Sequence, residues 1–516
     1  MSAITPPEAP APNSLRRWLG FGAMCFGMFM AILDIQVVAS SLTAIADALE
    51  LSDSQLGWIQ TSYLMAEVIA IPLTALLTRA FSLRGMFAAA TFAFTLASIG
   101  CGTSGSLAAL IAFRVAQGFF GGMLIPAVFS AVFTLIPEVQ RLRATTIAGV
   151  FALLAPTLGP IVGGYLTQTH AWNWIFLINV VPGLAVTALV TIYVRRDAPD
   201  PSVLRRLDLA GLVSFASALT LLELLLNEGP RRHWQGAFVV ATLSACLVGG
   251  VFGIWRCLTA AHPFIDLKRL RNAAFATGCL FSFVLGLGLY GSIFVMSLFL
   301  GLVREHAPLV IGEILMVTGV AQLLTAPVSA WTETRAPPRL LTLLGFGLFG
   351  AGLLANGFMT PQSDYPALFW PQVMRGGALM LCLLPTTRLA LDLWPEAQVP
   401  DASALFNLIR NLGGAIGIAL ISTLVEQRAA GHVARLVARL QAGDPATAGF
   451  VGLPVRLFHN RPMGPVDEMT RMLITPLIRR AALTQVLNEA WIVLGILFGL
   501  TLLALPLMRR GSFKTR

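Results

Sequence analysis

The sequence predicts an all-α polytopic membrane protein with fourteen transmembrane helices. Three observations carry that prediction. Of 516 residues, 56% are hydrophobic and 12% are charged, about half the charged share of an ordinary soluble domain. The mean hydropathy is +0.77. Apolar runs recur along the chain, each near the 20 or so residues that cross a bilayer, and arginines gather in alternate connections between them.

The runs lie at roughly 18–42, 54–77, 85–102, 107–131, 144–167, 174–194, 207–227, 237–258, 273–302, 309–331, 339–358, 367–392, 401–425 and 486–508. Arg16 and Arg17 precede the first. That run is too long for a cleaved signal peptide, so it reads as a retained span behind a short cytoplasmic tail.

Orientation follows from the connections. One set carries Arg79 and Arg84, then Arg141 and Arg143, then Arg195, Arg196, Arg205 and Arg206. The same set continues with Lys268, Arg269 and Arg271, then Arg335 and Arg339, and a tail with Arg509, Arg510, Lys514 and Arg516. The alternate loops at 43–53, 103–106, 168–173 and 359–366 hold no Lys or Arg, with Arg231, Arg232 and Arg304 as exceptions on that side. This bias places both ends in the cytoplasm.

One extracytoplasmic loop is long, 426–485. In its first part Val433, Leu436 and Leu440 recur at helical intervals, with Arg435 and Arg439 between them. That spacing predicts an amphipathic helix, either extending the preceding span or docking elsewhere. Residues 443–465 are rich in Gly and Pro and read as irregular. The loop is either a surface insertion or a docking surface for an extracytoplasmic partner.

Several functions are excluded at this stage. The net charge of +10 is what Arg-rich cytoplasmic loops produce and does not point to nucleic acid. The six cysteines (Cys25, Cys101, Cys246, Cys257, Cys279, Cys382) lie in or beside apolar runs without metal-ligand spacing, and the six histidines are scattered. No metal or other cofactor is expected. No nucleophile–base pair or soluble catalytic domain is readable, so the chain is not expected to be an enzyme.

The fifth run contains Ala155-Pro156-Thr157-Leu158-Gly159-Pro160-Ile161-Val162-Gly163-Gly164. Prolines break soluble helices but are tolerated in membranes, where neighbouring helices re-satisfy the backbone. The stretch predicts a kinked helix packed closely on another: a hinge or seal, or simply a small-residue packing face. Weak internal symmetry accompanies it. Arg114 in the fourth run and Arg375 in the twelfth stand at similar depth, and glycine clusters mark both the fifth and the thirteenth runs. Related halves around a central site are a common transporter plan.

Ionisable residues within spans are costly and need a reason. Asp34 and Arg114 lie at similar depth and can pair inside the bundle. A carboxylate releases its proton beside a guanidinium and takes one up when the two part, which is what a proton-coupled carrier requires. Glu67, near mid-membrane, is a second proton or cation-contact candidate, with Gln60, Tyr63 and Met65 as a partly polar cavity wall. Arg410, flanked by Asn407 and Asn411, can hold a substrate anion or backbone carbonyls. These charges can also simply tie helices together, and that reading fits Arg375 better. Glu223, followed by Asn227 and Glu228, reads as snorkelling from a helix end.

The motifs then resemble a known family. Leu33-Asp34-Ile35-Gln36-Val37-Val38 matches a first-span acidic motif. Trp58-Ile59-Gln60-Thr61-Ser62-Tyr63-Leu64-Met65-Ala66-Glu67, with Pro72, looks like a second span of the same family. Arg114-x-x-Gln117-Gly118 matches a proton-relay arginine motif, Gly159-Pro160-x-x-Gly163-Gly164 an antiporter motif, and Asn407-x-x-Arg410-x-x-Gly413-Gly414 also fits. Over 18–508 the chain resembles the major facilitator superfamily, within it the fourteen-span drug:proton antiporters of the EmrB/QacA type, and the EmrB branch most closely.

The resemblance implies a major facilitator fold: a tail at 1–17, a six-helix bundle at 18–194, two inserted helices at 207–258, a second six-helix bundle at 273–508 carrying the 426–485 loop, and a tail at 509–516. It implies an inner-membrane, proton-coupled exporter of amphipathic or lipophilic compounds. Such an exporter works by alternating access, with a periplasmic membrane-fusion adaptor and an outer-membrane channel as partners. Proton coupling falls on Asp34, Arg114 and Glu67. The substrate-pocket candidates are Gln36, Gln60, Tyr63, Asn407, Arg410 and Asn411, and the antiporter motif is Gly159, Pro160, Gly163 and Gly164. A dedicated exporter of one natural product, such as a siderophore or fatty acid, is the alternative. Two departures stand out. Gln36, Ala39 and Thr43 replace the usual Thr, Asn and Pro of the first-span motif, and the loop between the second and third spans keeps only Arg79 and Arg84 of its usual pattern.

Overall fold

The structure is a computed structural model that describes residues 14–50, 53–195, 198–205, 208–261, 263–458 and 468–507. Arg196, Arg206, residues 1–13, the loop segment 459–467 and the tail 509–516 with its Arg509, Arg510, Lys514 and Arg516 lie outside the described residues.

Helix α1 (Ser14–Ser40) includes residues 14–17, which the sequence assigns to a tail. After the short α2 (Leu42–Leu49), α3 (Asp53–Gly102) contains both the second and the third expected spans. Its 50 residues would extend about 75 Å at 1.5 Å per residue, far beyond a bilayer core of about 30 Å. The chain turns within it at Ser82, where φ is 66°. The Ser82 hydroxyl accepts the Gly85 N–H at 3.2 Å, so a serine N-cap starts the second half. Helices α4 (Leu107–Gly122) and α5 (Leu124–Thr134) form the fourth span, begun by Ser106, whose hydroxyl caps Ala109 N–H. Helix α6 (Arg141–Thr169) is bent by 44° between Pro156 and Leu158, the kink its prolines predict. Helices α7 (Trp174–Leu177) and α8 (Val180–Tyr193) make the sixth span, and α9 (Ser202–Arg205) is a single turn.

Helices α10 (Leu209–Arg231) and α11 (Ala237–Thr259) are the seventh and eighth spans. They pair with one another through Asp208 and Arg256 at 2.7 Å. Outward-facing Val240, Leu247, Val248, Val251 and Trp255 cover α11, as a lipid-exposed helix requires. Helices α12 (Ala273–Leu298), α13 (Pro308–Glu333), α14 (Pro338–Ala355), α15 (Tyr365–Leu391), α16 (Val399–Gln441) and α18 (Glu468–Thr501) follow, with the short α17 (Pro445–Val451) before α18. Among the described residues twelve helices are long and apolar enough to cross a membrane, thirteen with the bent α6. Counting the turned α3 twice gives fourteen passages.

Two apolar cores result, one mainly from helices before α12 and one mainly from α12 to α18. Helices α3 and α6 meet α16 and α13 across the seam between them. Arg16 donates to Ile192 O at 2.9 Å and Trp18 to Gln140 at 3.2 Å. These bonds place the start of α1, the end of α8 and the start of α6 on one face, called the near face below. The opposite face is the far face.

Much of the 426–485 region is helical rather than loop. Helix α16 continues without a break to Gln441, so its amphipathic part extends the thirteenth span. It packs with α17 and the start of α18 around Leu436, Leu440, Ala448, Val451, Ile478 and Ala481. Within the Gly/Pro-rich stretch, residues 445–451 are thus helical. Asp444 caps α17 by accepting from Ala446 N–H and the Thr447 hydroxyl, and Gly452 ends it at φ 91°. The far-face arginines that broke the charge bias are matched locally: Arg304 meets Asp364 at 2.6 Å, and Arg231 and Arg232 meet Glu228.

Candidate functional site

Arg114 lies two turns into α4, which approaches α3 closely because position 118 is glycine. A Cβ there would stand 2.2 Å from the Tyr63 carbonyl oxygen. The arginine therefore points into the space between α1, α3 and α7. Its Nη1 donates to Asp34 Oδ2 at 2.6 Å and to Gln117 Oε1 at 2.7 Å, and its Nε donates to Ile59 O at 3.1 Å. Neither partner of the ion pair has any side-chain exposure. Asp34 also accepts from Gln117 Nε2 at 2.9 Å and from Asn179 Nδ2 at 2.7 Å, both on Oδ1. The Tyr63 ring lies 4.3 Å from the guanidinium carbon. A buried ion pair needs its remaining lone pairs and protons satisfied; here both carboxylate oxygens are, while Arg114 Nη2 is buried without a hydrogen-bond partner.

Tyr63, expected in a cavity wall, instead forms the floor of this pair. It is fully buried and donates to Ala31 O at 3.2 Å. Gln60 is half-buried one turn earlier. Glu67, one turn beyond Tyr63, is 4% exposed. Among the described residues its carboxylate has no ion-pair partner. Glu223 does not snorkel: it is 8% exposed and lies within Coulombic range of Glu67. The reason is that α10 runs on to Arg231, leaving Glu223 two turns from the helix end, while Asn227 donates to Thr61 on α3 and seats α10 there. Near the far end Trp234 donates to Thr423 of α16 at 2.9 Å, so α10 bridges both halves.

The α16 residues stand apart from the Asp34 group. Arg410 donates to Ser282 of α12 at 3.0 Å and lies 4.9 Å from the Phe406 ring centroid. Its Nη2 is buried without a partner. Asn407 turns back to Ser403 O at 2.9 Å, and Asn411 is half-buried. The motif glycines bring α16 against α12, where a Cβ at position 413 would come 2.1 Å from Phe283 O. On α6, Gly159, Pro160, Gly163 and Gly164 are buried. Gly159 touches Gln36 of α1, and Ile161 meets Gly312 of α13. The bent segment thus sits between the two halves.

At the near face a latch joins the halves. Arg79 of α3 meets Asp401 of α16 at 2.7 Å, Arg269 reaches the same carboxylate at 3.4 Å, and Arg141 meets Glu396 at 3.2 Å. Ser403 donates to Pro126 O at 2.9 Å. A cavity of about 500 Å³ opens beside it, lined by Leu76, Arg79, Lys268, Arg269 and Asp401 among others.

Sequence reasoning brought Asp34 and Arg114 together but missed Asn179, Asp401 and Glu396, and it took Gln117 only as a motif letter. A neutral amide in an apolar run carries no charge to mark it. Asp401 had one signal, an acidic residue in the first turn of a helix, which serves the helix dipole equally well.

Comparison with known proteins shows the family. The Major Facilitator Superfamily profile matches residues 24–418. The chain is 38% identical to the colistin resistance protein EmrB of Acinetobacter baumannii, over 81% of this chain and 82% of that one. It is 30% identical to the multidrug export protein EmrB of Escherichia coli K12, over 82% and 83% respectively. The fold is similar to that of the proton:xylose symporter XylE, with a TM-score of 0.58 at 14% identity over 95% of both chains. By profile, by relatives and by fold, this chain belongs to the major facilitator superfamily, among its EmrB-type members.

Proposed function

We propose that the protein is a proton-coupled multidrug efflux transporter that exports amphipathic or lipophilic compounds by alternating access. The observation that carries this reading is the fully buried Asp34–Arg114 pair, whose contacts tie α1, α3, α4 and the start of the sixth span together. Protonating Asp34 removes the charge that holds Arg114, Gln117 and Asn179 in place, so proton occupancy and helix packing change together. Glu67 serves as a second proton or cation-contact site. Gln36, Gln60, Asn407, Arg410 and Asn411 are pocket candidates on the facing helices, and the Gly159–Gly164 segment, just beyond the bend between Pro156 and Leu158, is the hinge between halves.

The near face is cytoplasmic under the arginine bias, with both chain ends there and the protein in a bacterial inner membrane. Parting of the Arg79–Asp401–Arg269 and Arg141–Glu396 contacts opens that face to substrate. The far-face extension of α16, α17 and α18 suits a membrane-fusion adaptor leading to an outer-membrane channel. Each proton entering across 100 mV supplies about 2.3 kcal/mol, roughly a 50-fold gradient, so one or two protons suffice for useful efflux. The E. coli relative is by name a multidrug export protein and the A. baumannii relative a colistin resistance protein, and both names support this reading.

The test is accumulation of lipophilic cations in inverted membrane vesicles energised with an inside-acid gradient. Uptake abolished by a protonophore is expected. Uptake that survives the protonophore contradicts proton coupling.

A further inference from the structure

Arg375 of α15 is the C-terminal counterpart of Arg114: each lies on the fourth helix of its half. Asp34 stands 20 residues after Ser14, where α1 begins, and Ser292 stands 19 residues after Ala273, where α12 begins, on a helix that runs on past Leu298 as a π-helical turn to Val303. Ser292 and Arg375 line one narrow cavity. The C-terminal half thus has a serine where the N-terminal half has the carboxylate that neutralises its arginine.

Arg375 is 2% exposed. Among the described residues no carboxylate forms an ion pair with it, and its Nε and Nη2 are buried without partners. Its neighbours add donors. Gln372 fixes its Oε1 by accepting from Thr318 at 3.1 Å, which leaves Nε2 unpaired. The Trp491 ring lies 4.8 Å from the guanidinium carbon, and its Nε1 is also unpaired. Gly352 presses on the arginine stem, where a Cβ would come 2.8 Å from Cγ. The guanidinium is therefore buried, with Gly352 of α14 against its stem and Trp491 of α18 against its head. A buried charge at this depth needs a counter-charge, and an aromatic face supplies only part of one. The cavity of about 20 Å³ has room for one small group.

We propose that Arg375 binds a monovalent anionic group in the cavity it shares with Ser292 and Thr318, supplied either by a free halide or by the carboxylate of an acidic amphiphile. The proposal does not rest on the proton-coupling reading.

The test is thermal unfolding of the purified full chain in detergent at constant ionic strength, with chloride replacing methanesulfonate, and separately with octanoate added below its micellar range. The expected result is a saturable rise in the unfolding midpoint of roughly 3 °C or more. The rise is lost in Arg375→Gln and also in Ser292→Asp, which supplies the missing carboxylate within the chain. A rise with chloride alone assigns a halide. A rise with octanoate that chloride competes away assigns a carboxylate. No rise with either anion in the unmodified protein, or a rise unchanged in Ser292→Asp, overturns the proposal. The titration of the unmodified protein decides the matter even where a variant fails to fold.

Discussion

Arg79 and Asp401 lie 322 positions apart in sequence, yet their side chains meet at 2.7 Å and join the two halves at the near face. Arg269 shares the carboxylate at 3.4 Å, so one acid holds two arginines from two different connections. Asp401 is the centre of the latch, and the latch sets which face is closed.

Replacing it shifts that balance. Asp401→Asn is expected to loosen the near face by about 1–2 kcal/mol, roughly five- to thirtyfold in the closed-to-open ratio. The measurement is the labelling rate of a cysteine placed at Leu76, in the adjoining cavity, by an impermeant maleimide. Faster labelling is expected. The Arg79→Asp, Asp401→Arg double variant restores the closed state only in part, because Arg269 then faces a like charge.

Asn179 donates to Asp34, the most buried acid among the described residues, and is invisible to charge-based reading. Asn179→Ala removes one of three donors to Asp34. A hydrogen bond to a charged group contributes about 1.5–3 kcal/mol, so proton-driven uptake in inverted vesicles is expected to fall by at least tenfold. The unfolding midpoint of the purified variant should move by only a few degrees. An unchanged uptake rate shows that Asn179 does not hold Asp34 for transport.

Gly118 sets the approach of α4 to α3. Gly118→Ala forces a methyl against the Tyr63 backbone, which cannot move aside as a side chain can. A cost of about 1–3 kcal/mol or more is expected, read as a lower unfolding midpoint with uptake lost. Gly105→Ala, with no neighbour within 4 Å of its Cβ position, is the control and should leave both unchanged.

Asp364 gives a pH dependence outside the spans. Burial pushes its carboxyl up, but the Arg304 guanidinium, the Tyr365 N–H and His306 outweigh that and hold it below the usual carboxylate range. A depressed carboxylate stabilises the fold above its unfolded value, about 3.9, and that stabilisation fades as pH falls through the folded value. Asp364→Asn is expected to lower the unfolding midpoint at pH 7, with the gap to the unmodified protein closing as the pH drops below about 4. A gap that stays constant with pH assigns the effect to packing or helix capping.

Hydropathy made the spans legible because a bilayer admits little else, and the kink in α6 followed from Pro156 and Pro160. Asp34 and Arg114 were legible because charge inside an apolar run demands a partner at the same depth. Other features were not. The turn at Ser82 rests on one serine hydroxyl and a positive φ, and serine is common within membrane helices as well. Glu223 was misread because its depth depends on where α10 ends, and helix ends are poorly marked when Gly229 and Pro230 stay inside the helix. The 443–465 stretch looked irregular because its glycines and prolines flank the short helix α17, whose burial comes from packing against α16 and α18. Tyr63 was placed in a cavity wall, although its ring was needed beneath Arg114, a contact that depends on the closeness Gly118 allows.

The central claim is that Asp34 exchanges its proton as substrate is exported. The most direct measurement follows the internal pH of inverted vesicles, preloaded acid, as a lipophilic cation is added outside. The account predicts substrate-triggered proton release in the unmodified protein and none in Asp34→Asn. Proton release of equal size in Asp34→Asn would contradict it.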